Sequence, residues 1–376
     1  MRQRIKALFL ALVLCMIGIA TWGQQNIRMG VLLPLKEQSA RGTTFVEFYR
    51  GLLMAVEQVK KEGTSVEVYA LDCGTSETSL QQTLANEQLA TMDVIFGPAD
   101  AVQVTSLSEY CRKHKIRMVL PFNTPCPQVY TNPWVYQVGV TQELLYPGVS
   151  TLVMKDLANS NFVFYYSGEQ DARAQNFVTH LQQVLQLSDM QTTALAVGAD
   201  EAAYDRAFNQ FRQNVVIADS RSQAALTQML AGIKAFQAQY PQYKIVLFGY
   251  PEWLTYTQTM IRDYYQFDTR VFSPYYRNPL SGRVVKFEQQ YQQNFNTPSR
   301  LSYPRAELLG YDLGYYFIHG LVTLGRENFD VAQRTLQQQP LQHGFNFQRL
   351  GEQGGFVNLN VQLVHYNSNN TIQLVK

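Results

Sequence analysis

Residues that could do chemistry are few and scattered. The five histidines, His114, His180, His319, His343 and His365, form no HExxH or HxxxH pair, so no helix can present two imidazoles to one zinc ion. The chain holds no GxSxG elbow, no SxxK pair and no Walker A loop, so these patterns supply neither an activated serine nor a phosphate cradle. A GxGxxG fingerprint does not follow the first apolar run; Gly30 lies inside that run. Acidic side chains crowd at Ser167-Gly168-Glu169 and Asp171. A strand-to-helix turn uses such residues as caps more often than as acids or bases. The sequence therefore predicts no enzyme, with no catalytic set, no cofactor and no metal. Cys73, Cys111 and Cys126 match no zinc or CxxC spacing. Any two of the three remain open to pairing in an oxidising compartment.

Composition narrows the classes further. The 376 residues are 46% hydrophobic and only 16% charged, which excludes a disordered chain and suits two domains with real cores. Thirty-one basic residues face 29 acidic ones, a formal net charge of +2, so no electrostatic footprint for nucleic acid exists. Residues 1–23 read as a secretory signal peptide. Arg2, Arg4 and Lys6 precede the apolar run Ala7 to Ala20, and Thr21-Trp22-Gly23 ends in short side chains. The run is too short to span a bilayer. Cleavage after Gly23 leaves 28 basic against 29 acidic residues. The expected location is the periplasm, with no membrane span in the mature chain. Cys15 follows Leu14 inside the apolar run, where a lipoprotein signal wants a small residue, so a lipid anchor is not expected.

Elements that would carry a site follow a regular order. IRMGVLLPL (27–35), VEVYALDC (66–73), DVIFGP (93–98) and IRMVLP (116–121) are apolar runs. Helical patterns separate them, at 45–60, near 76–89 and near 100–114. Thr44 with Glu47 reads as a capping box for the first helix. Strands without polar alternation are buried on both faces, which calls for a parallel sheet covered by helices. WVYQVGV adds a strand, and a helix at 142–157 opens a second series. That series comprises NFVFYYS (161–167), TALAV (193–197), NVVIADS (214–220) and KIVLFGY (244–250), with Ser220 as expected cap of a helix at 221–238. RVFSPYYRNP (270–279) reads as an extended crossing segment, helices follow near 282–294 and 305–324, and the C-terminus reads as a hairpin turning at Asn367–Asn370. Aromatics between 254 and 276 have core spacing.

The predicted fold class is α/β: two Rossmann-like lobes with parallel sheets, hinged by crossover segments. The expected lobes are 24–141 with about 275–342, and 142–274 with about 343–376. In such sheets ligands bind outside the carboxyl ends of the strands. The candidate site is therefore Leu35, Lys36, Pro98, Ala99, Asp100, Asn123 and Thr124 in the first lobe, and Tyr166, Ser167, Asp219, Tyr250 and Trp253 in the second. These hydroxyls, amides and rings suit a small polar molecule enclosed by two lobes.

The order of elements over residues 26–376 resembles the type I periplasmic binding proteins, the group that includes branched-chain amino-acid-binding proteins. IRMGVLLPL, TTFVEFYRGLLMAVEQVKKEGTSVEVYALDCGTSE, MDVIFGPA and RKHKIRMVLPFNT resemble, more narrowly, a Bacteroidota envelope family described as amino-acid ABC-transporter substrate-binding proteins. Members of that family often carry a LysM module, and none is expected here, where residues 1–23 read as a signal peptide. The resemblance implies a solute-binding protein that closes two lobes around an amino-acid-like ligand or a peptide or cell-wall fragment. The partner it implies is an ABC-transporter permease. The alternative is an envelope scaffold that contacts cell-wall synthesis proteins. Gly97-Pro98-Ala99-Asp100 lacks the hydroxyls that branched-chain binders carry at this turn, and Asp100 would repel a ligand carboxylate.

Overall fold

The computed structural model describes residues 26–298 and 303–376. The expected leader and Cys15 lie outside the described residues. Chain order is β1 (Asn26–Leu33), α1 (Ala40–Lys61), β2 (Ser65–Asp72), α2 (Glu77–Leu84), β3 (Val94–Phe96), α3 (Ala101–His114), β4 (Arg117–Leu120) and β5 (Val135–Gln137). A second series runs α4 (Gln142–Asp156), β6 (Asn161–Tyr166), α5 (Ala172–Leu187), β7 (Thr192–Ala196), α6 (Glu201–Ala207) and β8 (Asn214–Ala218). It continues with α7 (Gln223–Gln239), β9 (Ile245–Gly249), α8 (Thr257–Gln266) and β10 (Arg270–Ser273). The remainder is α9 (Gly282–Phe295), α10 (Ala306–Leu324), α11 (Phe329–Ala332), β11 (Phe347–Arg349), β12 (Phe356–Asn358), β13 (Gln362–Tyr366) and β14 (Ile372–Val375).

Two seven-stranded sheets result, ordered β11-β12-β5-β4-β3-β1-β2 and β14-β13-β10-β9-β8-β6-β7. The pairs β1–β2, β1–β3 and β3–β4 are parallel, as are β6–β7, β6–β8, β8–β9 and β9–β10. Their central strands are apolar runs buried on both faces, as β3, β8 and β9 show. By contacts the chain divides into residues up to Val135 with Ala306–Gln337, and Tyr136–Arg305 with Gln338–Lys376. The chain thus passes from one unit to the other three times.

In the first unit α1 and α10 pack at backbone contact. A Cβ on Gly51 would lie 1.8 Å from the Glu307 carbonyl oxygen, and one on Gly310 would lie 2.0 Å from that of Phe48. Only glycine permits this approach. Arg117 opens β4 from inside the unit. Its Nε and Nη2 donate to the Asp330 carboxylate on α11 at 2.8 and 2.6 Å, between the rings of Trp134 and Phe329. In the second unit the core gathers Phe177, Phe248, Tyr250 and Phe272, whose rings meet at 5.1 to 6.1 Å.

Several local expectations change. The first helix begins at Ala40, not 45. Ser39 is its cap and accepts from the Gly42 N–H at 3.1 Å, while the Thr44 hydroxyl donates back to Ala40 inside the helix. Ser222, not Ser220, caps α7. Arg270–Ser273 is a strand rather than a crossing segment, paired with β9 and β13. The tail serves both sheets: β12 joins β5, and only β13 and β14 form the expected hairpin, with Asn370 at φ 63° in its turn. Cys73, Cys111 and Cys126 are buried, unpaired thiols.

Candidate functional site

Strand order reverses beside the first strand of each series. β1 lies between β2 and β3, and β6 lies between β7 and β8. Loops leaving the two strands at a reversal diverge to opposite faces, and the crevice left between them is where such sheets bind ligands.

In the first unit the β1 loop turns at once: the Leu35 N–H donates to Leu33 and the Lys36 N–H to Asp72 Oδ1 at 3.3 Å. Leu35 is half-buried and Lys36 exposed. After β3, Gly97 adopts φ +134°, and a Cβ there would meet the Leu32 carbonyl oxygen at 2.0 Å. This turn therefore requires glycine. Pro98 and Ala99 are buried behind it. Asp100 begins α3 but makes no side-chain cap bond. Arg41, in the first turn of α1, instead reaches across the reversal. It donates to Asp100 Oδ1 at 2.7 Å and to the Ala99 carbonyl at 3.1 Å. The buried Thr124 hydroxyl donates to the same carbonyl at 3.0 Å, while Asn123 beside it is exposed. Ala99, Asp100 and Thr124 are thus brought together, and Arg41 offsets the charge expected to repel a carboxylate. Arg41 was not singled out from sequence. Its signal is a cation in the first turn of a helix, where the dipole disfavours positive charge unless an acid is near.

The second unit repeats this bridging with other residues. Ser167, after β6, donates from its N–H and from its hydroxyl to Asp219 Oδ1, at 2.8 and 2.6 Å, and Asp219 is 5% exposed after β8. The Glu169 carboxylate accepts from the hydroxyls of Ser220 at 2.6 Å and Ser222 at 2.7 Å. Asp171 caps α5 and also accepts the Arg221 guanidinium, whose Nη1 reaches Glu252. Burial pushes the Asp171 carboxyl up, but the Arg221 side chain and N–H outweigh it and leave that carboxyl below its ordinary range. Tyr166 is 40% exposed, and its hydroxyl accepts from Gln182.

Tyr250 and Trp253 lie inside the core, 1% and 0% exposed, and not on the strand-end surface. The Tyr250 hydroxyl donates to the Ala218 carbonyl at 2.6 Å. Trp253 folds back over Gly249, whose missing side chain makes the room, and lies parallel to Tyr264 with centroids 6.1 Å apart. The β9 end therefore presents Glu252. Of the four acids in these loops, Asp171 and Glu252 pair with Arg221, whereas Glu169 and Asp219 accept from serines. Sequence reading named Asp219 and took Glu169 and Asp171 as caps; Arg221 and Glu252 escaped it because their pairing depends on two turns meeting.

No group of three His, Cys, Asp or Glu suited to a metal ion occurs among the described residues, and no described helix is long and apolar enough to cross a membrane. The two sheets, with matching central order and C-terminal edge strands, define the class: this is the fold of the type I periplasmic binding proteins. Solved structures carry the assignment. A branched-chain amino acid ABC transporter protein from Rhodospirillum rubrum superposes with a TM-score of 0.63 at 11% identity, covering 93% of this chain and 100% of that one. A branched chain amino acid ABC transporter periplasmic ligand-binding protein from Burkholderia xenovorans gives 0.51 at 10% identity, covering 93% and 94%. An ABC transporter substrate-binding protein from Sphaerobacter thermophilus gives 0.50 at 14% identity, covering 93% and 96%. No protein-family model and no curated protein matches the sequence.

Proposed function

We propose that this protein binds a small polar solute outside the cytoplasm, without transforming it, and delivers it to an ABC transporter. The carrying observation is that both sheets reverse strand order and both set polar, hydrogen-bonding loops at the reversal. The solved structures of like fold are named as ABC transporter and ligand-binding proteins, which supports the same use here. The ligand contacts of the mechanism come from both units, so binding shifts the population toward a closed form. Leu35, Lys36, Pro98, Ala99, Asp100, Asn123 and Thr124 serve from one unit, and Tyr166, Ser167 and Asp219 from the other. The carboxylates of Glu169, Asp171, Asp219 and Glu252 in the strand-end loops of the second unit suit a ligand ammonium group, as on an amino acid, a short peptide or a cell-wall peptide fragment. Calorimetric titration with these three ligand classes, paired with X-ray scattering, tests the reading. Saturable binding with a smaller radius of gyration is expected. Absence of binding to all three, with an unchanged radius, overturns it.

A second reading makes the protein an envelope scaffold for cell-wall synthesis proteins. It draws support from the hydroxyls of Thr124, Ser167, Ser220 and Ser222, each already donating within its own unit. Affinity capture from envelope extracts separates the two: a stable protein partner that persists in the presence of excess solute favours the scaffold.

A further inference from the structure

A cavity of about 510 Å³ lies wholly within the second unit, between α8, the segment after β10 and the β13–β14 hairpin. None of the strand-end candidates lines it. Leu254, Ile261 and Ile372 give it apolar walls, and Tyr265, Tyr276 and Tyr366 give it rings. Its volume falls within the span typical of small-molecule sites, and aromatic walls with a few polar atoms are the usual lining of such sites.

Tyr366 is the informative residue. It is 1% exposed, its ring held by Tyr264 at 5.2 Å and by Tyr265 at 5.8 Å. Its hydroxyl nevertheless makes no hydrogen bond to any described residue, and it lines the cavity. A buried phenol normally finds a partner within the protein, but this hydroxyl opens into the cavity, where water or a ligand can pair with it. Tyr264, its neighbour, does find one, donating to the Trp253 carbonyl at 2.9 Å. The charged groups of the lining are already engaged: Arg277 and Arg305 both donate to Glu288 Oε1, at 2.6 Å each. What the cavity still offers is apolar surface, ring faces and a neutral donor. Leu280, 90% exposed, stands in the lining as well, an apolar side chain where solvent enters.

We propose that this cavity is a binding site, separate from the strand-end loops, for a neutral ring-bearing small molecule whose oxygen accepts a hydrogen bond from the Tyr366 hydroxyl. Rings of the ligand lie against Tyr265 and Tyr276, and burial of that apolar surface supplies the driving force.

Coumarin, uncharged and carrying a lactone carbonyl, serves as the probe, titrated into the whole protein by calorimetry and by ligand-observed NMR. Saturable one-site binding is expected. Tyr366→Phe keeps the ring packing and loses the donor, so affinity falls about tenfold. Gln258→Trp, at an exposed helix position on the lining, fills the space and abolishes binding. Both variants are checked for an unchanged melting temperature; Tyr366→Phe, isosteric, remains decisive if the tryptophan perturbs the fold. Coumarin that fails to saturate, that binds both variants as it binds the native protein, or that is lost on Ser167→Ala instead, overturns the proposal.

Discussion

Ser167 and Asp219 are joined by two hydrogen bonds across the strand reversal of the second sheet, one from the Ser167 N–H and one from its hydroxyl, both to Asp219 Oδ1. The loops after β6 and β8 are thereby held as one surface, which is what a preorganised binding site needs. Asp219→Ala leaves two buried donors of Ser167 without an acceptor. Loss of about 1–3 kcal/mol is expected, against about 1 kcal/mol for Ser167→Ala, which removes a donor and frees only the part-buried Glu169 N–H that the hydroxyl accepts at 3.2 Å. Urea unfolding of the two variants checks the order. Equal losses would show that the buried N–H finds another partner.

Arg221 ties Asp171 to Glu252 across the adjoining turns. Because Arg221 is what outweighs burial at the Asp171 carboxyl, its removal must let that carboxyl rise. In Arg221→Ala the Asp171 carboxyl is expected to titrate at higher pH than in the native protein, read by carboxyl-carbon NMR. Arg221→Lys keeps a charge but loses the fork, so a partial rise is expected. A carboxyl that does not move would assign its low value to the backbone N–H groups instead.

Most of the fold was legible because both determinants are local. Continuous apolar runs such as NVVIADS and KIVLFGY declare buried strands, and the helices between them declare parallel connections. Helix starts were less legible. Ser39 and Thr44 are both capping residues, and Ser39 prevails because α1 continues one turn further to set Arg41 against Asp100. The candidate site is legible in the sequence as strand-end positions and not as contacts. Ser167 and Asp219 follow from strand ends alone. Trp253, by contrast, was read as presented because it follows β9; that it turns inward depends on Gly249, four residues earlier. The edge strands taken from the tail were not legible either, since β12 and β13 are separated by three residues yet join different sheets.

Asp268 predicts a particular acid response. Burial pushes its carboxyl up, but the hydrogen bonds from His365 and Arg270 outweigh this and hold it well below the ordinary carboxylate range. A carboxyl depressed in the folded state adds stability above its unfolded value, near pH 4, and loses it as pH falls toward the folded value. The native protein is therefore expected to lose stability steadily below about pH 4. Asp268→Asn, starting from lower stability at neutral pH, should lose less over the same interval. Melting temperatures measured across that range check the slopes; parallel curves would remove Asp268 from the account.

Arg117 and Asp330 give the sharpest stability test, because the Arg117 side chain is only 4% exposed and that of Asp330 17%. The pair anchors α11 to the first residue of β4, with the guanidinium also donating to the Arg326 carbonyl. Desolvation of two charges offsets much of their attraction, so the pair as a whole adds little net stability over apolar side chains of similar volume. Removing one partner is different, because the other charge stays at a poorly hydrated site. Arg117→Met is expected to lose about 3–5 kcal/mol. Met fits between the rings of Trp134 and Phe329, which already contact the arginine, so the loss reflects the broken ion pair more than a cavity. Arg117→Met combined with Asp330→Leu should then regain most of that loss. A double-mutant cycle by denaturant unfolding measures this directly. If the double variant is as unstable as the sum of the single ones, the arginine acts through its packing and its bond to Arg326, and the carboxylate is incidental.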